Sequence, residues 1–504
     1  MAKQKHNFMK WGKIAIPVII IAGMVWYFRP WLHGFFMFFY RNPIVLEFLV
    51  VIFLITRIKK IKSGLKMGKF KKGKFDMKEV SASLSFIPVL IILLFVLLPF
   101  FSDIMPRVHV VNELNYQAIE SLPDTKENIR LMPYEVAYRY SKDSLQLSQY
   151  KLGTENIANI NGNLSWMFPL VPDGQILEFM LKNKGAVFVD ATTQKKNTKV
   201  VWKDLQIGEG MQITDNLYWN IYKSMYWIDT DDPFYIHEDG EVYTVVPLIS
   251  YSYHHWFGLL YSVPRFGGIM IIDSSGEIEF MEPKESMESE ILKDNRIFPE
   301  NLARYYVESY VYNNGVINKW FIHDDQIDIQ DISYTNKQPF LMETSDGLKW
   351  FISTEPYGQS HGIFKIFLVD ARDGEIEKYE LPIEETLTGP VKASDFVRRE
   401  NPIVDWNKFR MVESLPFVTD DELYWKVAIV PNDAAGIAYQ AFVNSKTNEV
   451  MEFEEDNEIR KFIQEGSLVK KVNETVEENQ TTQDRIEQIK NKLEELQKLI
   501  DQLE

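Results

Sequence analysis

Residues 268–283 read GIMIIDSSGEIEFMEP. An apolar run ends at Asp273, a tight turn carries Gly276, and Glu277-Ile278 opens a returning strand. The same shape recurs in FKIFLVDARDGEIEKYELP at 364–382, which ends at Asp370 and turns at Gly374. It recurs again in YQAFVNSKTNEVMEFEE at 439–455, which ends at Asn444 and turns at Asn448. Gly and Asn tolerate the positive φ that such turns require. GAVFVDATTQKKNTKVVW at 185–202 is a degenerate fourth copy. Another apolar strand (EVYTVVPLI, LKWFISTEP or LYWKVAIVP) lies upstream of each of the three clear copies. The spacing predicts repeated antiparallel β-hairpins.

The surrounding sequence keeps this pattern. From Ser102 to about Leu468, short alternating apolar runs are separated by Gly, Asn, Asp and Pro turns. Helical stretches are few: MPYEVAYRYSKD within 128–150, and ENLARYYVESYVYN at 300–313. Before this body lie three apolar stretches, Ile14–Phe28, Trp31–Thr56 (interrupted at Arg41-Asn42-Pro43) and Leu84–Phe101. The third, LSFIPVLIILLFVLLPFF, carries no charge and meets the length of about 17–20 apolar residues that crossing a bilayer needs. The first two fit either two short spans or one long tilted helix with an interfacial piece. Tyr27-Phe28-Arg29-Pro30 is a poor small-residue cleavage site, so the first stretch is expected to stay attached. The aromatic cluster from Trp26 to Tyr40 suits a membrane interface.

Orientation follows from charge. The segment Arg57–Lys78 carries ten Lys/Arg and one acid, and short loops this basic stay in the cytoplasm. The third span then exits, which places everything after Ser102 outside. Three spans also put the lysine-rich N-terminus inside. The basic loop further suits anionic headgroups.

The whole chain has 504 residues, 46% hydrophobic and 14% aromatic, with a net charge of −16. Residues 1–102 hold 16 Lys/Arg against Glu47, Asp76 and Glu79; taken from totals of 55 and 71, they leave 39 basic and 68 acidic residues in 103–504. A body with a net charge of −29 repels nucleic-acid phosphates, so no nucleic-acid partner is expected. Cysteine is absent, which excludes disulfides, thiolate metal sites and cysteine nucleophiles.

Beyond Glu465-Gly466-Ser467 the chain turns polar and helical. Ile486, Ile489, Leu493, Leu496, Ile500 and Leu503 follow the 3-4 spacing of a coiled-coil seam and are the expected oligomerisation residues. The strand–turn–strand unit, on its turns, resembles the PepSY-like hairpin, in which an extended strand ends in a V-D-x-x-T-G-E-V turn. That resemblance implies a non-catalytic, inhibitory or binding module of an envelope protein.

Candidate chemistry is sparse. Asp229, Asp231, Asp232, His237, Glu238 and Asp239 offer carboxylates to a hard cation but lack the glycine of an EF-hand. His323, Asp324, Asp325, Asp328 and Asp331 form a second acidic cluster, read as a solvated face. His254 and His255 point to opposite faces of a strand and so do not share a metal. No nucleophile elbow, phosphate loop, dinucleotide fingerprint or H-E-x-x-H motif appears. Three N-x-S/T sequons begin at Asn163, Asn473 and Asn479.

The expectation is an α+β, membrane-anchored protein. Transmembrane helices (1–102, with the basic cytoplasmic loop 57–78) precede a strand-rich ectodomain. The ectodomain comprises a first region (103–235), hairpin repeats (236–390) and a last hairpin repeat (391–466), and a coiled-coil helix follows (467–504). The expected function is extracytoplasmic interaction or assembly at the cytoplasmic membrane, without catalysis, cofactor or metal. Its expected partners are membrane lipid, other envelope proteins and further copies of itself. A transporter or channel subunit and an envelope enzyme are the alternatives. Distant carboxylates with raised pKa values, brought together in one pocket, would favour the enzyme.

Overall fold

The computed structural model describes residues 17–67, 86–125, 129–160, 162–329, 331–332, 337–358, 362–382 and 385–465. The expected coiled-coil seam, Ile486 to Leu503, lies outside the described residues.

Strand β1 (Tyr116–Ile119) leads into the body, which repeats one plan four times. The first unit runs β2 (Tyr150–Leu152), β3 (Asn156–Ile160), β4 (Asn163–Pro172), β5 (Asn183–Asp190) and β6 (Thr198–Leu205). The second runs β7 (Asp229–Thr230), β8 (Phe234–Glu238), β9 (Glu241–Trp256), β10 (Leu259–Ile272) and β11 (Ile278–Met281). The third holds β12 (Ile327–Asp328), β13 (Phe340–Thr344), β14 (Gly347–Pro356), β16 (Lys365–Asp370) and β17 (Ile376–Glu380), with a small side ladder of β15 (Gly362–Ile363) and β18 (Leu387–Thr388). The fourth is β19 (Phe409–Thr419), β20 (Glu422–Pro431), β21 (Tyr439–Asn444) and β22 (Val450–Phe453).

Within each unit four consecutive strands pair antiparallel as a meander. In the first three, the start of the long second strand pairs with β3, β8 or β13, and a later stretch of it pairs with the short β2, β7 or β12. In the fourth unit β19 covers both halves alone, with a bulge between Val412 and Leu415. Every one of the four repeated turns seen in the sequence closes a hairpin between the last two strands of its unit. The reason is local. The Asp370 carboxylate accepts from Arg372 N, and the Asn444 side-chain oxygen accepts from Lys446 N and Thr447 N. Asp190 and Asp273 hold their turns in the same way, and Gly276, Gly374 and Asn448 take positive φ.

The outer strands β6, β11, β17 and β22 are largely half-buried or exposed, but the central ones are not. β4, β14 and β20 are buried at almost every position, because each sheet is covered on both faces. Met167 and Phe188 of the first sheet pack on Phe234 and Ile236 of the second. Phe351 and Leu368 of the third pack on Trp425 and Val427 of the fourth. One further core joins all four, through Trp166, Val263, Trp350 and Val430. The four meanders thus stack as two face-to-face pairs, first on second and third on fourth, about one shared core. β1 adds to the outer edge of the third sheet as a parallel strand beside β17.

Both expected helices form, as Tyr134–Asp143 and Glu300–Ser309. Helices at Leu217–Ser224, Pro390–Glu400 and Asp456–Glu465 were not read from the sequence. The boundaries expected after residues 102, 235 and 390 fall inside a helix, inside β8 and inside Pro390–Glu400 respectively.

Among the described residues one unbent helix, Pro88–Glu113, is long and apolar enough to cross a membrane. Pro17–Tyr27 and Arg29–Arg41 meet that measure only as a pair bent by 72°, and Pro43–Ile55 is apolar but short. The expected count of three spans is therefore not matched by three such helices. The basic segment expected as a loop from Arg57 begins as helix, since Pro43–Met67 is continuous.

Candidate functional site

The centre of the body is built from two copies of one arrangement. R-L-M-P-Y-E-V-A-Y-R-Y at 130–140 matches R-I-F-P-E-N-L-A-R-Y-Y at 296–306 in Arg, Pro, Ala and the final Tyr. In the first copy, Leu131 N and Met132 N donate to Ala191 O, and Trp166 Nε1 donates to Met132 O at 2.8 Å. In the second, Ile297 N and Phe298 N donate to Ala371 O, and Trp350 Nε1 donates to Phe298 O at 3.3 Å. The Arg130 guanidinium lies 5.3 Å from the Trp166 ring, and that of Arg296 lies 5.6 Å from Trp350. A carboxylate from the next sheet round then caps each helix. Glu413, in the bulge of β19, accepts from Tyr134 N at 2.6 Å, and Asp231, between β7 and β8, accepts from Asn301 N at 3.3 Å. The body is thus an internal duplication, each half a helix followed by two sheets.

These sets place charge where water is scarce. Arg296 is 1% exposed and sits between Ile157 O, which accepts from its Nε, and the faces of Phe234 and Trp350. Burial pushes the Glu300 carboxyl up to about 7, with Arg296 opposing and Asp231 and Asp232 adding to the rise. Burial also pushes Glu209 up to about 7, against hydrogen bonding from the Tyr235 hydroxyl. On the fourth sheet, burial pulls the Lys426 ammonium down to about 7, with Glu413 opposing and Arg130 adding. Among the described residues Lys426 Nζ has no hydrogen-bond partner, and it faces a cavity of about 20 Å³ that it shares with Thr125, Arg130 and Glu343. Two carboxyls that exchange protons near neutrality are chemically fit for acid–base work. The space beside Lys426, however, takes about one water. A buried cation and caps that stitch neighbouring sheets account for the same residues structurally.

A second locus joins the apolar helices to the second sheet. Arg41 pairs with Asp229 at 2.7 Å, and His33 Nε2 lies 3.0 Å from Ile228 O. Arg29 donates to Lys223 O, while the hydroxyls of Tyr253 and Ser262 donate to Tyr40 O and Arg41 O. The β9–β10 hairpin runs beyond its sheet and lays Trp256 5.5 Å from Phe100. From the other side Arg107 pairs with Glu308 at 3.2 Å, and Arg265 pairs with Glu113. An apolar groove of 570 Å³ lies between Phe35, Phe39, Leu46, Leu49, Trp227 and Tyr253. The apolar N-terminal helices and the body are therefore tied by named polar contacts as well as by chain connection.

The acidic residues at 229–239 do not converge on one point. Asp229 pairs with Arg41, Asp231 caps a helix, and the His237 ring packs on Phe188 at 4.7 Å. The second cluster is not simply solvated: Asp325 pairs with Lys365, and Asp331 pairs with Arg304 at 2.7 Å. His254 faces His109, with ring centroids 3.8 Å apart, while the adjacent His255 is exposed. Among the described residues, no group of three or more His, Cys, Asp or Glu is arranged to hold a metal. Arg130, Arg296, Glu209, Glu300 and Lys426 were not picked out from the sequence. The R-x-x-P-x-x-[V/L]-A-x-x-Y repeat was the signal for the first two.

No family model and no curated protein matches the chain. Among solved structures, a glycosyl hydrolase from Bacteroides ovatus is similar at 10% identity with a TM-score of 0.17, over 67% of this chain and 81% of that one. A Trypanosoma rangeli sialidase, in complex with a 2,3-difluoro-nononic acid, is similar at 10% identity with a TM-score of 0.16, over 66% of this chain and 41% of that one. At such scores neither likeness carries an argument about what this chain does.

Proposed function

We propose that this protein is a membrane-anchored, non-catalytic interaction or assembly protein whose four-unit body stands outside the cytoplasmic membrane. The observation that carries the reading is the continuity of the apolar helix Pro88–Glu113 with the body. Its apolar part is largely bare, whereas Phe101, Val110 and Val111 are buried against the sheets. In this reading Pro88–Glu113 and Pro43–Met67 are the two arms of a helical hairpin whose basic connection stays in the cytoplasm. The bent pair Pro17–Tyr27 and Arg29–Arg41 reaches the membrane and then turns along its surface. The repeated Asp/Asn turns, on which the resemblance to PepSY-like hairpins rests, fit an interaction role too, although side-chain capping of the turn explains them without kinship. The tail seam from Ile486 to Leu503 supplies self-association.

The chain has no cysteine, so topology is directly testable. Ser148→Cys, on an exposed segment of the body, should react with a membrane-impermeant maleimide in intact cells, and Ser63→Cys should not. Labelling at position 63 alone would reverse the proposed orientation.

A further inference from the structure

Two apolar loops project beside the point where the membrane-length helix acquires its first charge. In one, Gly315 at φ +86 opens a one-turn helix, Gly315–Ile317, and a wider turn, Asn318–Ile322, follows. Ile317, Trp320, Phe321 and Ile322 on this loop are 69%, 50%, 76% and 64% exposed. The exposure is not slackness. Asn318 is buried, its Nδ2 donates to Asp324 O at 2.8 Å, and its Oδ1 accepts from Asp324 N at 3.0 Å. His323, in the left-handed region, then ends the turn. A fixed backbone thus holds four large apolar side chains outward, an arrangement that water disfavours and that marks an interaction surface. The other loop is the β9–β10 tip, where Phe257 is 89% exposed and Trp256 is 44% exposed.

Position identifies what covers them. Lys319 lines a hollow with Asp103 and Arg107, just beyond Phe101 on the apolar helix. Trp256 lies 5.5 Å from Phe100 and 6.1 Å from Phe101. Both loops therefore sit at the level where the uncharged run gives way to the Asp103–Arg107 pair, which is where a bilayer surface meets the helix. Aromatic and aliphatic side chains at that level match an interfacial belt, and a nearby lysine matches a headgroup contact.

We propose that the Ile317–Ile322 loop and the Trp256–Phe257 tip insert into the leaflet from which the helix emerges, so that the body rests on lipid instead of hanging free from one tether. This rests on the membrane-anchored reading above, and the test separates the two. The full chain is reconstituted in phosphatidylcholine–phosphatidylglycerol vesicles with a single nitrobenzoxadiazole-labelled cysteine at one of four positions. These are Leu93→Cys in the apolar helix, Phe257→Cys, Phe321→Cys, and Ile403→Cys, a solitary apolar residue of the fourth unit that is 96% exposed. Probes at 257 and 321 are expected to be quenched by doxyl lipid labelled near the headgroup and spared by aqueous iodide, with the probe at 403 behaving the opposite way. If 93 is quenched by doxyl lipid while 257 and 321 respond to iodide like 403, the insertion is refuted and the anchor stands. If 93 is not quenched by doxyl lipid, the anchor reading falls and takes this one with it. Shielding of 257 and 321 from both quenchers would assign the loops to a protein surface, a second copy included, and equally overturns lipid insertion.

Discussion

Replacing Gly374 with alanine tests the repeat at its tightest point. Gly374 sits in the hairpin turn of the third unit at φ +81, a conformation that costs an L-residue about 1–2 kcal/mol. A Cβ added there would lie 2.2 Å from Phe298 Cε2 and 2.5 Å from Cζ. Phe298 has little room to yield. It is 2% exposed, its N–H donates to Ala371 O, and its ring packs 5.6 Å from Phe266 and 5.9 Å from Tyr306. Forcing extra volume into such a core typically costs about 1–3 kcal/mol, so the sum is about 2–5 kcal/mol. Gly276, the equivalent residue of the second unit, supplies the control. Its φ is +87, but its added Cβ would meet nothing nearer than 3.3 Å. Gly276→Ala should therefore lose chiefly the backbone part, about 1–2 kcal/mol, with Gln206 and Ile207 needing to give way by only a few tenths of an ångström. The assay is urea denaturation of the full chain in detergent, followed by tryptophan fluorescence, with midpoints compared at common slope. Equal losses in the two variants would show that the turn of the third unit does not dock on Phe298, and the argument for the stitched centre would fail with it.

Two further outcomes are expected. The Glu300 carboxyl, at about 7 in the fold against 4.5 ordinarily, keeps a proton that the unfolded chain releases, so its contribution to stability falls as pH rises from about 4.5 to about 7. Glu300→Gln should then be more stable than the parent at pH 8, by at most roughly 3 kcal/mol, and should approach it at pH 4.5; a difference independent of pH would mean that the carboxyl is not held protonated. Leu493→Asp combined with Leu496→Asp should lower the molar mass measured by light scattering in detergent, and an unchanged mass would remove the tail as the self-association element.

The sequence alone determined the features that depend on near neighbours along the chain. Hairpin turns at Asp273, Asp370 and Asn444 were legible because a side-chain oxygen, two or three backbone N–H groups and a positive-φ residue lie within five or so positions of one another. The uncharged run from Leu84 to Phe101 was legible because crossing a bilayer is a matter of length and composition. The two helices at 134–143 and 300–309 were legible from their apolar spacing. What the sequence did not decide was which face meets which. Burial on both sides of β4, β14 and β20 depends on sheets far apart in the chain, and it erases the alternation that a half-solvated strand would show. Asp231 looked like a loop acid among other acids, and only tertiary structure brings it to the start of the Glu300–Ser309 helix, beside Arg296. Glu300 and Lys426 are ordinary charged residues in sequence; their displaced protonation comes from burial, which no local pattern records. Trp320 and Phe321 read like any apolar pair, and only the fold leaves them exposed on a loop whose Lys319 shares a hollow with Asp103, at the end of the apolar helix.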